Sequence, residues 1–321
     1  MARKREKNSA FESDVLDGLS ATPKHLPSRY FYDDKGSRLF QEIMRLPEYY
    51  LTACETEIFT HRAENIVDEL LADGHEIDVV ELGAGDGSKT AILLSSLLAR
   101  APSTRYLPID ISHEAMGELV RNFGERLPKL TIEPQVGDYF SILNSIRKVS
   151  KRRKAILFLG SNIGNFAAEA ATEFFRSLRA VMDDGDLLFV GFDLQKDPRV
   201  IHLAYDDPAG VTAQFNLNLL ERINRELNGT FRLENFLHYA NYRPIEGSAR
   251  SYLISREAHT VGVAGKLFEF RRWEPIHMEI SQKYTVTMIE DYARNTGFRV
   301  TMNFFDDREY YCDSLWQPIA R

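Results

Sequence analysis

The architecture turns on residues 77–101, IDVVELGAGDGSKTAILLSSLLARA. The apolar run IDVVEL has the length of a buried strand, and it ends in a loop carrying Gly83, Gly85 and Gly87. From Ser88 onward the apolar residues recur at helical spacing. Strand, glycine turn and helix in that order open a βαβ unit. Glycine lets such a turn bend sharply and approach a ligand with no Cβ in the way.

Downstream the pattern repeats. RYLPIDIS reads as a second strand with an acid near its end, HEAMGELVRNFGERL as a helix, and LTIEPQVGDY as a third strand and turn. KAILFLG is a fourth, wholly apolar strand running into SNIGN. AAEAATEFFRSLRAVM is a helix and DLLFVGFDL a fifth strand. Alternating strands and helices imply a parallel sheet covered on both faces, so the expected class is α/β and Rossmann-like. The alternation breaks over residues 198–283, where a long helical segment precedes strand-like runs such as SYLISREAHTVGV and FEFRRWEPIHMEIS. It resumes with a helix at VTMIEDYARNTGF and two last strands at FRVTMNFFDD and YYCDSLWQPIA. The expected division is a sheet domain over 56–197 and 284–321, and a smaller α+β substrate domain over 1–55 and 198–283. The cleft between them is the natural place for ligands, beyond the carboxyl ends of the parallel strands.

Bulk properties narrow the function. A formal charge of -7 over 321 residues disfavours a nucleic-acid binder. Of two basic runs, MARKREK at the start reads as a frayed, solvated tail and KVSKRRK at 148–154 as a solvated loop. DDKGS at 33–37 reads as a turn before a short amphipathic helix. Two cysteines, Cys54 and Cys312, are too few for a disulfide framework or a structural zinc site, and no metal site is expected. Neither an apolar signal core nor a stretch of about 20 apolar residues is present. The expectation is a cytoplasmic chain, monomeric or weakly self-associating, without a membrane or nucleic-acid partner.

The strand ends carry the chemistry. Glu81 precedes the first glycine, where pyrophosphate would be unwelcome but a sulfonium or ammonium would not. Asp110 closes the second strand, where a carboxylate can accept from ribose hydroxyls. Asp138 and Tyr139 close the third, suited to an adenine amine and ring face. Together with Gly83 and Gly85 these acids favour S-adenosylmethionine as methyl donor, with S-adenosylhomocysteine as product. NAD is the competing reading. Asp86 inside the loop would repel its pyrophosphate, although Lys89 on the first helical turn blunts that objection.

With these features in place, the chain resembles the histidine-specific α-N-methyltransferases of ergothioneine biosynthesis, the EgtD-like family. The resemblance runs from about residue 20 to the end, through LPSRYFYDDKGSRLFQEIMRLPEYY, ELGAGDGSKT, FLGSNIGNF, AYDDPAGVTAQFNLNLLERINREL and MEISQKY. It implies a class I methyltransferase sheet and trimethylation of the L-histidine α-amine to hercynine. By resemblance, the donor is held by Tyr49, Gly83, Lys89, Asp110, Asp138 and Tyr139, the last standing where the family more often has phenylalanine. The amino acid is held by Tyr32, Asn165, Tyr205, Glu279 and Ser281, with Asn165 and Tyr32 at the reacting amine. Glu279 and Ser281, two apart on a strand, point to one face and suit the nitrogens of an imidazole. Ser251 stands where the family has a methionine beside the imidazole. That change leaves another aromatic amino acid, such as tryptophan or a prenylated tryptophan, as the alternative substrate.

Overall fold

The computed structural model describes residues 2–74, 76–110, 113–150 and 152–320. Thirteen strands occur among the described residues. The first six are β1 (Ile77–Leu82), β2 (Arg105–Asp110), β3 (Thr131–Ile132), β4 (Gln135–Val136), β5 (Arg153–Phe158) and β6 (Leu187–Asp193). There follow β7 (Phe236–Arg243), β8 (Ser248–Ser255), β9 (His259–Val263), β10 (Lys266–Phe270) and β11 (Pro275–Gln282). The last two are β12 (Phe298–Phe305) and β13 (Tyr311–Pro318).

The chain divides into two compact units. One comprises Leu51–Gln195 with Gln282–Arg321. Its sheet has the order β12-β13-β6-β5-β1-β2-β3, with β4 also on β2. β1 is parallel to both β2 and β5, and β6 is parallel to β5. β13 runs antiparallel between β6 and β12. This is the class I methyltransferase sheet, with its reversed strand next to the edge. β1 and β5 are buried at nearly every position, as central parallel strands must be. Around them the core includes Phe175, Phe192 and Trp316, each almost wholly buried. The direction of strand addition reverses at β1, so the switch point of the sheet lies between β1 and β5. The loops at that point are Gly83–Gly87 and Gly160–Asn165.

The other unit comprises Met1–Tyr50 with Lys196–Ser281. It holds a sheet ordered β11-β8-β7 and the antiparallel hairpin β9–β10. Helices Asp34–Ile43 and Val211–Leu227 pack together, and the core includes Phe11, Phe31, Phe215, Leu219 and Leu253. Asp207 starts the second helix by accepting from the amides of Val211 at 2.9 Å and Thr212 at 2.8 Å.

Three local expectations need correction. MARKREK is not a frayed tail from its second residue on, because Ala2–Ser20 is one helix anchored by buried Phe11, Val15 and Leu19 at four-residue spacing. DDKGS is no turn but a helix start. Asp33 caps it by accepting from the Gly36 amide at 2.8 Å, and the helix begins at Asp34. KVSKRRK is not a solvated loop. Lys148 lies in the last turn of a helix, Arg153 and Lys154 belong to β5, and Lys151 lies outside the described residues. Lys154 is buried against Asp186 at 3.1 Å, Arg152 lies 3.0 Å from Asp78, and Arg153 lies 3.2 Å from Asp73.

Candidate active site

In the first unit the glycine loop takes left-handed backbone at Gly83 (φ 72), Gly85 (φ 57) and Gly87 (φ 67), a conformation that disfavours any side chain. Nothing lies within 4 Å of where a Gly85 Cβ would sit, and the Tyr139 hydroxyl comes within 3.0 Å of that position on Gly83. Asp86, just before the following helix, accepts from the Ser88 amide at 3.0 Å. Asp110 ends β2, and its carbonyl accepts from the Gly137 amide at 3.0 Å. Asp138 is exposed at the head of helix Tyr139–Val149, where one oxygen accepts from the Ser141 amide at 3.0 Å. Burial, then the charges of Asp110 and Asp138, push the Tyr139 phenol up to about 12. Glycines, both aspartates and Tyr139 are thus gathered at the ends of β1, β2 and β4.

Glu81 is committed inward. It is 4% exposed, accepts from the Thr90 hydroxyl at 2.7 Å and from the Tyr106 hydroxyl, and so ties β1 to the helix after the glycine loop and to β2. Burial raises its carboxyl to about 7, against the pull of the Tyr106 and Thr90 hydrogen bonds and of Lys89. An acid raised in the fold contributes its full stability below its unfolded pKa and loses it as pH climbs through the folded one. The window here runs from 4.5 to about 7. Stability to urea should therefore fall across that window by about 3 kcal/mol more in the wild-type chain than in Glu81→Gln. Parallel slopes for the two proteins would show that Glu81 stays ionised in the fold.

A second buried carboxylate was not singled out from the sequence. Glu55 is 0% exposed; one oxygen accepts from the Gly160 amide at 2.7 Å and the Tyr311 hydroxyl at 2.9 Å, and the other pairs with Lys89. Burial pulls the Lys89 ammonium down, but the attraction of Glu55, aided by Asp313 and Glu81, outweighs it and holds lysine above its usual range. Burial and the neighbouring Glu55 charge in turn hold Asp313 well above the ordinary carboxylate range.

Gly160 opens the turn that carries Asn165. Ser161 has φ 54, and its hydroxyl accepts from the Asp193 amide at 3.1 Å. The 3-10 turn Asn162–Asn165 buries Ile163, whose carbonyl accepts from the Tyr284 hydroxyl at 3.1 Å. Asn165 ends this turn and is exposed.

The second unit gathers most of the remaining expected residues. Tyr205, last in helix Pro198–Tyr205, donates its hydroxyl to Ser281 at 2.7 Å, and both are buried. His238 holds the end of that helix, its Nε2 donating to the Tyr205 carbonyl at 3.0 Å. Tyr32 packs edge-on against Phe40 at 5.4 Å and Phe215 at 5.6 Å. Tyr32 is 44% exposed. Desolvation, then the Glu279 charge and the Tyr205 phenol, raise its pKa. Glu279 is half-buried on β11, two residues before Ser281. Tyr49 lies edge-on to Phe40 at 6.1 Å, so Tyr49 and Tyr32 share one supporting ring. Ser251 is buried on β8 opposite Ala240, and its hydroxyl has no hydrogen-bond partner among the described residues. The supporting rings Phe40 and Phe215 were not singled out from sequence.

The profile of a family described as histidine-specific methyltransferase, SAM-dependent, matches residues 11–318. The chain belongs to this family. It is 37% identical over 277 residues to the histidine N-alpha-methyltransferase of Mycobacterium tuberculosis, covering 86% of this chain and 84% of that one. The histidine N-alpha-methyltransferase of Mycolicibacterium smegmatis is 37% identical over 294 residues, with 91% and 90% covered. A more distant relative is N-methyltransferase imqF of Aspergillus flavus, 26% identical over 328 residues, with 99% and 88% covered. The protein is therefore an S-adenosylmethionine-dependent methyltransferase, which removes the NAD alternative. The residues at the strand ends fit that donor: Gly85, in left-handed backbone, leaves open space where a side chain would stand, and carboxylates stand at the ends of β2 and β4. No helix among the described residues is long and apolar enough to cross a membrane.

Proposed function

We propose that the protein trimethylates the α-amino nitrogen of L-histidine, giving hercynine. S-adenosylmethionine supplies an electrophilic methyl group, and one donor is consumed at each of three transfers. In this reading Gly83, Gly85, Lys89, Asp110, Asp138 and Tyr139 of the sheet unit hold the donor. Tyr49 completes the donor set, and Glu81 supports the loop from below.

The observation that carries the substrate assignment is the convergence of Tyr32, Tyr205 and the Glu279–Ser281 pair, from three distant parts of the chain, within one unit. Tyr32 is protonated near neutral pH, as any ordinary phenol is, and desolvation raises its pKa further, so it serves as a donor toward a carboxylate. Glu279 accepts an imidazole N–H, and the Ser281 hydroxyl, oriented by Tyr205, serves the other nitrogen. The Asn165 amide accepts from the α-amine and donates to the carboxylate, which aims the nitrogen lone pair. Only a neutral amine is nucleophilic, and the proton leaves to water. The protein's main contribution is alignment.

Incubation with S-adenosylmethionine and L-histidine should yield a product heavier by three methyl groups, read by mass spectrometry, with no product from tryptophan. Methylation of tryptophan in preference to histidine would instead favour the second reading. That reading draws on Ser251, whose small, buried, unpaired hydroxyl leaves the pocket wall less defined than a methionine would. Both cysteines are free and buried, in keeping with a reducing cytoplasm, and we assign the active form as a monomer or a weakly associating one.

A further inference from the structure

We propose that Glu55 is a positioning residue that joins Lys89 and the Asn165 turn on a single carboxylate, so that donor binding orders the turn that aims the amine. The inference rests on the donor role of Lys89 and the amine role of Asn165 given above.

Glu55 lies in helix Tyr50–His61, outside both the glycine loop and the turn, yet it contacts one group from each side. One oxygen receives the Gly160 amide, the first residue of the segment leading to Asn165, and the other receives the Lys89 ammonium from the first turn after the glycine loop. Tyr311 fixes the first oxygen from the side by donating its hydroxyl. The strand beneath has been cleared for this carboxylate. A Cβ on Gly191 would lie 2.6 Å from the Glu55 oxygen and 2.3 Å from the Tyr311 hydroxyl. Gly191 has no need of glycine for its backbone, since it lies in the regular strand β6 and is absent from the positive-φ glycines. Space is the reason for its side chain being absent.

The Gly160 segment is otherwise held by the Asp193 amide on the Ser161 hydroxyl and the Tyr284 hydroxyl on the Ile163 carbonyl. Among the described hydrogen bonds, that of Glu55 is the one that reaches it from the lysine side. A carboxylate shared between a side-chain ammonium and a backbone amide changes its grip on one when the other is drawn away. Any ligand that engages Lys89 therefore alters how firmly Gly160 is held. Charge is essential to this role. Glutamine keeps an acceptor for Gly160 and Tyr311 but offers the lysine no counter-charge.

The test is amide hydrogen exchange over residues 160–166, with and without saturating S-adenosylhomocysteine, alongside calorimetry of that nucleoside. In the wild-type protein the nucleoside should slow exchange of the segment by about tenfold. In Glu55→Gln, saturated with the same nucleoside, that slowing should disappear, and kcat should fall more than the KM for the amino acid rises. Lys89→Met, which withdraws the ammonium permanently, should already exchange the unliganded segment more slowly than the wild type and should show no further response to the nucleoside. Should Glu55→Gln fail to fold, the double variant Glu55→Gln with Lys89→Met, which leaves no unpaired buried charge, is measured instead and should also lack the response. Slowing of wild-type size in the saturated Glu55→Gln or double variant, or no slowing in the wild type, overturns the proposal. The exchange readout needs no amino-acid substrate, so it stands or falls separately from the histidine assignment.

Discussion

Alanine in place of Asn165 is expected to lower kcat for histidine methylation by more than about tenfold, because small losses of alignment at a reacting nitrogen are costly. Binding of S-adenosylhomocysteine and the thermal midpoint should barely move. The structure explains why such a clean separation is possible. Asn165 is exposed and supports no core. Its turn is held by other groups: the Ile163 carbonyl on Tyr284, the Ser161 hydroxyl on Asp193, and the Gly164 amide on the Ser161 carbonyl at 2.9 Å. Removing the amide therefore leaves the turn standing and deletes only what the amide offers a substrate. The variant Asn165→Asp keeps an acceptor for the amine but has no donor for the carboxylate, and it should be impaired as well. Turnover near the wild-type rate in Asn165→Ala would remove this residue from the reacting centre. Because the amine loses donors with each methyl it gains, the ratio of singly to triply methylated product is the second readout. Accumulation of the singly methylated product is expected in Asn165→Ala, since the later transfers have fewer hydrogen bonds left to align them.

The sheet was readable because its central strands are continuous apolar runs, and a buried parallel strand permits little else. β1, β5 and β6 each begin and end within a few residues of the runs read from sequence. The third strand was harder. LTIEPQVGDY forms two pieces of two residues each, β3 and β4, on either side of Glu133–Pro134, and a proline cannot donate to a ladder. Charge was the least legible property. KVSKRRK looks solvated as a string, yet its partners Asp73, Asp78, Asp183 and Asp186 come from elsewhere in the chain. Glu55 escaped notice for the same reason, with its lysine, amide and phenol partners 34, 105 and 256 residues away. One local signal did exist. Glu55 shares a helix face with Leu51, Ile58 and Phe59, all buried, and an acid on an apolar stripe asks for a partner. Among the candidate residues, Tyr32, Tyr49, Tyr205 and the MEIS pair were named by resemblance alone. Spacing along the chain says nothing of Tyr32 approaching Glu279, because helix Val211–Leu227 and the strands of this unit lie between them in sequence.

The largest effect on substrate affinity is expected from Glu279→Ala. Losing a charge-assisted hydrogen bond to an imidazole N–H should raise the KM for histidine by at least about tenfold. kcat should change less, since the imidazole is remote from the reacting nitrogen and is gripped alike in ground and transition states. Glu279→Gln should fall between wild type and alanine, because its amide oxygen still accepts but carries no charge. Glu279 also acts on Tyr32, whose pKa is raised first by desolvation and then by this neighbouring carboxylate. Desolvation persists when the charge is removed, so Tyr32 remains protonated near neutral pH and the affinity loss reports the imidazole contact itself. Tryptophan supplies the contrast. An indole has a single N–H and no second nitrogen for Ser281, so Glu279→Ala should narrow the preference for histidine over tryptophan. The measurement is a pair of KM values, one for each amino acid, in the wild-type, Glu279→Gln and Glu279→Ala proteins. An unchanged histidine KM in Glu279→Ala would place the imidazole elsewhere, and Ser251, buried with its hydroxyl unpaired on β8, would become the next position to replace.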